Sequence, residues 1–141
     1  MKGTMSMVKE LLKKEAYTCV VSNGVQTYTS MEHGVKPLLQ WLHSDIDLTG
    51  YLAADKVVGN AAAFLYVLLG VKEVYAPVMS KAAYETLTLH GIHAECEVKA
   101  DAIINRAGTG FCPMEQAVQG IASPEDALAA IEAKLRELKK Q

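Results

Sequence analysis

Asp55-Lys56-Val57-Val58-Gly59-Asn60-Ala61-Ala62-Ala63-Phe64-Leu65-Tyr66-Val67-Leu68-Leu69-Gly70-Val71-Lys72-Glu73-Val74-Tyr75-Ala76-Pro77 decides the fold of this chain. A charged entry leads into a long apolar run that predicts a buried helix ending at Gly70, where glycine accommodates the left-handed C-terminal stop. The small residues at its start let the helix lie close against a sheet. Val71 to Ala76 then predicts a strand, and Pro77, which has no N–H to donate, ends it. Ser80 caps a further helix over Lys81 to His90, with Gly91 as its stop. Ile92 to Val98 predicts another strand, with Ile92, Ala94, Cys96 and Val98 on one side and His93, Glu95 and Glu97 on the other.

Upstream, Ser6 opens an amphipathic helix with Met7, Val8, Leu11 and Leu12 on its apolar side and lysines facing water. Tyr17 to Val21 is β-branched and compact, Asn23-Gly24 is a hairpin signal, and Val25 to Thr29 alternates as the return strand. Gly34, Pro37 and the run Leu38, Leu39, Trp41, Leu42 give a second helix ending near Ser44-Asp45, and Asp45 to Leu52 connects onward. Downstream come Asp101 to Asn105, a glycine loop, a short helix and an amphipathic helix over Pro124 to Lys139. A hairpin followed by strand–helix–strand crossovers implies a mixed sheet with helices on both faces, a three-layer α/β/α sandwich.

The 141 residues suit a single domain over 1–141, with the N-terminal helix at 6–15 and the helix at 124–139 as an added packing element. With 50% hydrophobic and 21% charged residues, the composition is that of a globular protein. A net charge of −2 with dispersed lysines and arginines leaves no electrostatic footprint for nucleic acid. No apolar run reaches the roughly 18 residues of a membrane span, and Met1 to Glu15 lacks a signal core. Cys19, Cys96 and Cys112 show no C-x-x-C spacing. Together these features predict a cytoplasmic protein with reduced thiols.

The segment Arg106-Ala107-Gly108-Thr109-Gly110-Phe111-Cys112-Pro113-Met114-Glu115 carries the candidate chemistry. Pro113 suits the first position of a helix, which makes Cys112 its N-cap and Glu115 its third residue, able to reach back to the Cys112 backbone N–H as in a capping box. Ser123-Pro124-Glu125-Asp126 repeats this grammar with an ordinary serine cap. Sulfur is a weak acceptor, but a helix N-terminus stabilises thiolate. Cys112 is therefore either an inferior cap or an activated sulfur.

The long apolar helix, the short strand ending in proline and the next helix resemble the cytidine-deaminase-like fold. More closely, Asp55 to Ala63 followed far downstream by Gly-Thr-Gly-Phe-Cys112-Pro113-Met114-Glu115 is similar to domain-of-unknown-function family 1893, a small prokaryotic family with a deaminase-like fold. The resemblance runs from Tyr17 to Gly120. Zinc deaminases carry H-x-E at one helix start and P-C-x-x-C at the next. Here the corresponding starts read Gly59-Asn60-Ala61 and Pro77-Val78-Met79-Ser80-Lys81, with Val78 and Lys81 where sulfur ligands would stand. The resemblance thus implies a zinc-free fold with no cofactor. His93-Ala94-Glu95 spells H-A-E, but in a strand, where Cys96 points opposite and no P-C-x-x-C follows.

Two functions fit. In one, a small metabolite, with nucleotide-like molecules among the candidates, binds a pocket containing Asp55, Lys56, Asn60 and Cys112 near the carboxyl ends of the strands. Ser80, Lys81, Arg106, Gly108, Thr109 and Gly110 supply further ligand contacts. In the other, Cys112 is the nucleophile of a transferase or hydrolase, with Asp55 or Glu115 handling the proton. Each residue also has a plainer role: Asp55 and Ser80 as caps, Lys56 and Lys81 as solvated charges, Asn60 satisfied by backbone, and the glycines as a turn. A zinc-dependent deaminase returns only if the purified protein holds stoichiometric zinc. Apolar helices leave room for a homo-oligomer.

Overall fold

The structure, a computed structural model, describes residues 3–103 and 112–139. In chain order the elements are α1 (Thr4–Lys14), β1 (Cys19–Ser22), β2 (Thr27–Ser30), α2 (Lys36–Leu42), β3 (Leu52–Asp55), β4 (Val57–Val58), α3 (Asn60–Leu69), β5 (Glu73–Ser80), α4 (Lys81–Leu89), β6 (His93–Ala100), α5 (Pro113–Ala117) and α6 (Pro124–Lys139). The expected mixed sheet with helices on both faces is present.

A hairpin forms at Asn23-Gly24, but Val25 and Gln26, expected in the return strand, belong to the loop and β2 begins at Thr27. Cys19 pairs with Ser30 and Ser22 with Thr27, antiparallel, while the Asn23 side-chain oxygen accepts the N–H groups of Val25 and Gln26. β1 then pairs antiparallel with β3, and β3, β5 and β6 run parallel. Strands β3, β5 and β6 advance across the sheet without reversing, so crossovers of one hand bring α3 and α4 to one face. Cys19, Val21, Ala53, Val74 and Ala76 join the main core with these helices. Val20, Ala54 and Tyr75 point the other way and pack with Val8 and Leu12 of α1. This alternation is the period-two geometry of strands.

α3 is apolar nearly all round because it is enclosed on all sides, with Ala61 to Tyr66 and Leu69 buried. Gly70 ends it in the left-handed conformation at φ 77°, as expected of a glycine stop. α6 inserts Ala127 and Ile131 into the same core.

Two strand expectations need correction. Leu52 to Asp55 is a central strand, not a connection leading into a helix, and Asp55 ends β3 rather than opening α3. Its alanine-rich text has no β-branched residue to announce a strand; burial between β1 and β5 overrides local propensity. Pro77 does not end β5, which runs on to Ser80. β3 and β4 hold one register against β5, with Ala54 beside Tyr75 and Val57 beside Val78, which puts the interruption at Lys56 alongside Pro77. The proline sits where the neighbouring ladder is already broken, the one place a missing N–H goes unnoticed. The Lys56 N–H turns instead to the Thr18 carbonyl at 3.1 Å.

The first helix also starts earlier than expected. Gly3 is its N-cap, and Ser6 lies within the helix.

Candidate functional site

The parallel strands β3, β4, β5 and β6 deliver their carboxyl ends to one side of the sheet, and a cavity of about 280 Å³ opens there. Asn60, the residue after the turn from β4, forms part of its wall, as do Ser80 and Ala82 at the β5–α4 junction. Asp101, Ala102 and Ile103 follow β6, and Glu115 and Val118 to Ile121 close the remaining side. The position outside the strand carboxyl ends is where open α/β sheets hold ligands. The beginnings of α3, α4 and α5 border the cavity. The residues they bring together differ from those expected.

Glu115 does not reach back to Cys112. Its two carboxylate oxygens accept the N–H groups of Asn60 at 2.7 Å and Ala61 at 2.8 Å, capping α3 from a different helix. The Cys112 N–H goes to the Ile103 carbonyl at 3.1 Å. The reason lies at Gly59, the N-cap of α3, which has ordinary extended backbone at φ −95° and ψ 179°. A Cβ built there would lie 2.6 Å from the Glu115 carboxylate, so only glycine admits the acid. Unpaired N–H groups and the dipole at the start of α3 make this a favourable seat for negative charge.

Asn60 is fixed from its side-chain end. The Thr86 hydroxyl, on α4, donates to Asn60 Oδ1 at 2.5 Å, and Asn60 forms part of the cavity wall. Ser80 is buried and acts as the expected cap, its Oγ accepting the Ala83 N–H at 3.0 Å. Lys81, exposed, pairs with Asp101 at 2.7 Å. That hydrogen bond and charge hold the Asp101 carboxyl below its usual range and push Lys81 up.

Asp55 and Lys56 stand elsewhere. Neither they nor Cys112 are among the described residues lining the cavity, so the expected meeting of Asp55, Lys56, Asn60 and Cys112 does not occur there. Lys56 is exposed, whereas Asp55 is buried beneath α3. Tyr66 donates to Asp55 Oδ2 at 2.7 Å, and the same phenol oxygen lies 3.2 Å from Cys19 Sγ. Burial pushes the Asp55 carboxyl up to about 7, against the opposing hydrogen bonds from Tyr66 and the backbone N–H groups of Val57 and Lys56. Burial, followed by the nearby Asp55 charge, raises Cys19 and Tyr66 as well.

All three cysteines are free, with Cys19 buried and Cys96 and Cys112 half-buried. Cys112 is the N-cap of the five-residue α5, makes no side-chain cap bond and packs against the main core. Native protein treated with iodoacetamide is therefore expected to leave Cys19 unmodified until it unfolds, since a buried neutral thiol is a poor nucleophile. Peptide mass mapping checks this; rapid native labelling of Cys19 would contradict the enclosed Cys19–Tyr66–Asp55 cluster.

Arg106, Gly108, Thr109 and Gly110 lie outside the described residues. Among the described residues, no group of three or more His, Cys, Asp or Glu side chains is placed to hold a metal ion, and no helix is long and apolar enough to cross a membrane. Sequence reasoning missed Thr86 and Tyr66, because their partners are 26 and 11 residues away and no local pattern marks them. Gly59 was legible as a glycine before a helix, but its purpose was not.

A family model described as "Domain of unknown function (DUF1893)" matches residues 7–135. Among solved structures, a DUF1893 family protein from Thermotoga maritima is 25% identical, with a TM-score of 0.81 over 97% of this chain and 92% of that one. A dCMP deaminase from the cyanophage S-TIM5 is 14% identical, with a TM-score of 0.46 over 68% of this chain and 99% of that one, a likeness that carries no argument about chemistry. No curated protein matches the chain.

Proposed function

The chain belongs to the DUF1893 family, and from that premise we propose that it binds a small metabolite in the cavity at the carboxyl ends of β4, β5 and β6. Nucleobases and nucleosides are the first candidates by size, since the cavity lies just below the roughly 300–1,000 Å³ of pockets for drug-sized ligands. The observation that carries this reading is Asn60, a residue of the cavity wall whose side-chain oxygen is held by the Thr86 hydroxyl. A polar side chain held by a partner on another helix, at the edge of a concave site, is how small-molecule sites fix ligand orientation. Ser80, at the same wall, adds a hydroxyl whose proton is not used by its capping bond.

Binding is a better reading than nucleophilic catalysis. Glu115, a candidate proton acceptor, already holds two N–H groups, and the Cys112 sulfur is not part of the described cavity wall.

The test is a titration of ¹⁵N-labelled protein with a panel of nucleobases, nucleosides and short carboxylates. Binders are expected to shift the Asn60 side-chain amide and the Ala82 backbone amide, and Asn60→Ala is expected to weaken them about tenfold, the equivalent of one lost hydrogen bond of about 1.4 kcal/mol. A panel in which no member moves those signals at millimolar concentration overturns the proposal.

A further inference from the structure

β6 is an edge of the sheet. Among the described residues its one neighbouring strand is β5, which has β3 and β4 along its other side. A free edge offers backbone N–H and C=O groups to any further strand, and proteins guard such edges with short strands, prolines, bulges or charges. β6 is eight residues long and contains no proline. Its carboxyl half carries Glu97 and Lys99 on either side of Val98, which is 56% exposed.

The register of the sheet sets Val57 of β4 beside Val78 of β5, and Val78 beside Val98. These three valines form one lateral row. Their chain neighbours Val58 and Met79 are buried in the main core, so the row belongs to the other face. The satellite core under α1 takes in Val20, Ala54 and Tyr75 but none of the three valines. Val57 is 47% exposed, and it and Val98 are the large apolar residues left exposed on strands among the described residues. An apolar row thus runs across the uncovered part of a sheet face and ends at an open edge.

We propose that a second copy of this chain completes the row, two β6 strands pairing antiparallel about a twofold axis at Val98. Opposed residues of an antiparallel pair share a face, so Val98 meets Val98 and the row continues from one Val57 to the other, six valines on six strands. The contact is self-complementary, as a twofold interface must be. The charges favour this register, because residue 97 of each copy stands opposite residue 99 of the other and Glu97 is set against Lys99 twice. Neither has an ion-pair partner among the described residues of its own chain. Glu97 accepts the Tyr75 hydroxyl at 3.0 Å and Lys99 lies 3.7 Å over the Tyr84 ring, so the two attract across the seam rather than as a close ion pair. The next opposed pair, Glu95 and Asp101, is like-charged, but Lys9 and Lys81 already neutralise both within the chain. One seam of eight residues is about 27 Å long and lies at the small end of specific interfaces, which makes it a dimer that dissociates on dilution.

Analytical ultracentrifugation of the full chain over a dilution series tests this. The natural protein is expected to be dimeric at millimolar concentration and monomeric at low micromolar concentration. Val98→Lys, a change at an exposed position, is expected to remain monomeric throughout. Glu97→Lys is expected to weaken the dimer about tenfold, through two reversed pairs, and Glu97→Lys combined with Lys99→Glu to restore it. Val98→Cys is expected to form a covalent dimer under mild oxidation, since Cα atoms opposed in an antiparallel pair are about 4.5–5.5 Å apart, within reach of a disulfide; the natural protein, whose Cys96 faces Ala100, is not. A natural protein that stays monomeric at millimolar concentration overturns the proposal. So does a dimer that Val98→Lys leaves intact, because the contact then lies elsewhere. If the lysine variant does not fold, failure of Val98→Cys to cross-link is equally decisive.

Discussion

Alanine at Gly59 is expected to destabilise the protein by about 2 kcal/mol, nearly the same as Glu115→Ala, and the two losses are not expected to add. Both substitutions remove one interaction. A Cβ at Gly59 enters the space of the Glu115 carboxylate at 2.6 Å, and Glu115→Ala deletes the carboxylate itself. Either way Asn60 and Ala61 lose their acceptor, and hydrogen bonds to a charged group are worth about 1.5–3 kcal/mol. The more discriminating outcome lies in the double variant. Gly59 has ordinary extended backbone, which any residue adopts. With Glu115 already gone, alanine at Gly59 no longer meets the carboxylate and should cost less than about 1 kcal/mol, the penalty of alanine at a helix N-cap set against a less flexible unfolded chain. Urea denaturation of the two single variants and the double variant measures the cycle. Additive losses would mean that Gly59 serves some purpose other than admitting Glu115.

Asp55→Asn is expected to give a stability difference from the natural protein that changes with pH. The natural carboxyl sits buried against Tyr66 with its pKa raised to about 7, from an ordinary value near 3.8 in the unfolded chain. The folded state therefore holds this proton more tightly than the unfolded state. Its contribution is fully present below about pH 3.8 and is lost progressively as pH rises to about 7, after which the loss is complete. Asparagine does not titrate. The variant should thus gain on the natural protein across that interval by up to roughly 4 kcal/mol and gain no more above it. Taking the difference removes the opposite drift of Asp47, Asp101 and Glu125, whose depressed carboxyls favour the fold at higher pH in both proteins. Denaturation midpoints from pH 4 to 8 provide the measurement, and parallel curves would show that Asp55 is ionised in the folded protein throughout. Tyr66→Phe sharpens the test: removing a donor to the carboxylate should move the Asp55 midpoint upward, visible in carboxyl ¹³C shifts.

The two results concern different parts of the same segment. Asp55 is locked under α3 by a tyrosine within that helix, and five residues later Asn60 opens the helix under the cap of Glu115. Between them Lys56 breaks the ladder beside Pro77, which lets β5 pass through a proline and carry Ser80 to the cavity. The start of α3 therefore takes its position from the residue before β1, through the Lys56–Thr18 bond, and from α5, through Glu115. No ligand is needed to account for this scaffold.

Local chemistry written into the sequence was sufficient for the hairpin at Asn23, the Gly70 stop, the Ser80 cap, α6 and the layered mixed sheet. Each of these depends on neighbours within a few residues or on the period of apolar positions, which a chain displays on its face. It also suggested the carboxyl ends of the strands as the place for a site. Tertiary structure alone decided which residues meet there. Leu52 to Ala54 became a strand because β1 and β5 enclose it, and so Asp55 was drawn under α3 rather than into the cavity. Glu115 left its own helix for another 55 residues away because Gly59 leaves room for it, and the Asn60 side chain found its partner in Thr86 on the next helix. Hydrogen bonds between residues far apart in the chain have no periodic signature, so spacing shows which groups are available and only the fold shows which of them are already engaged.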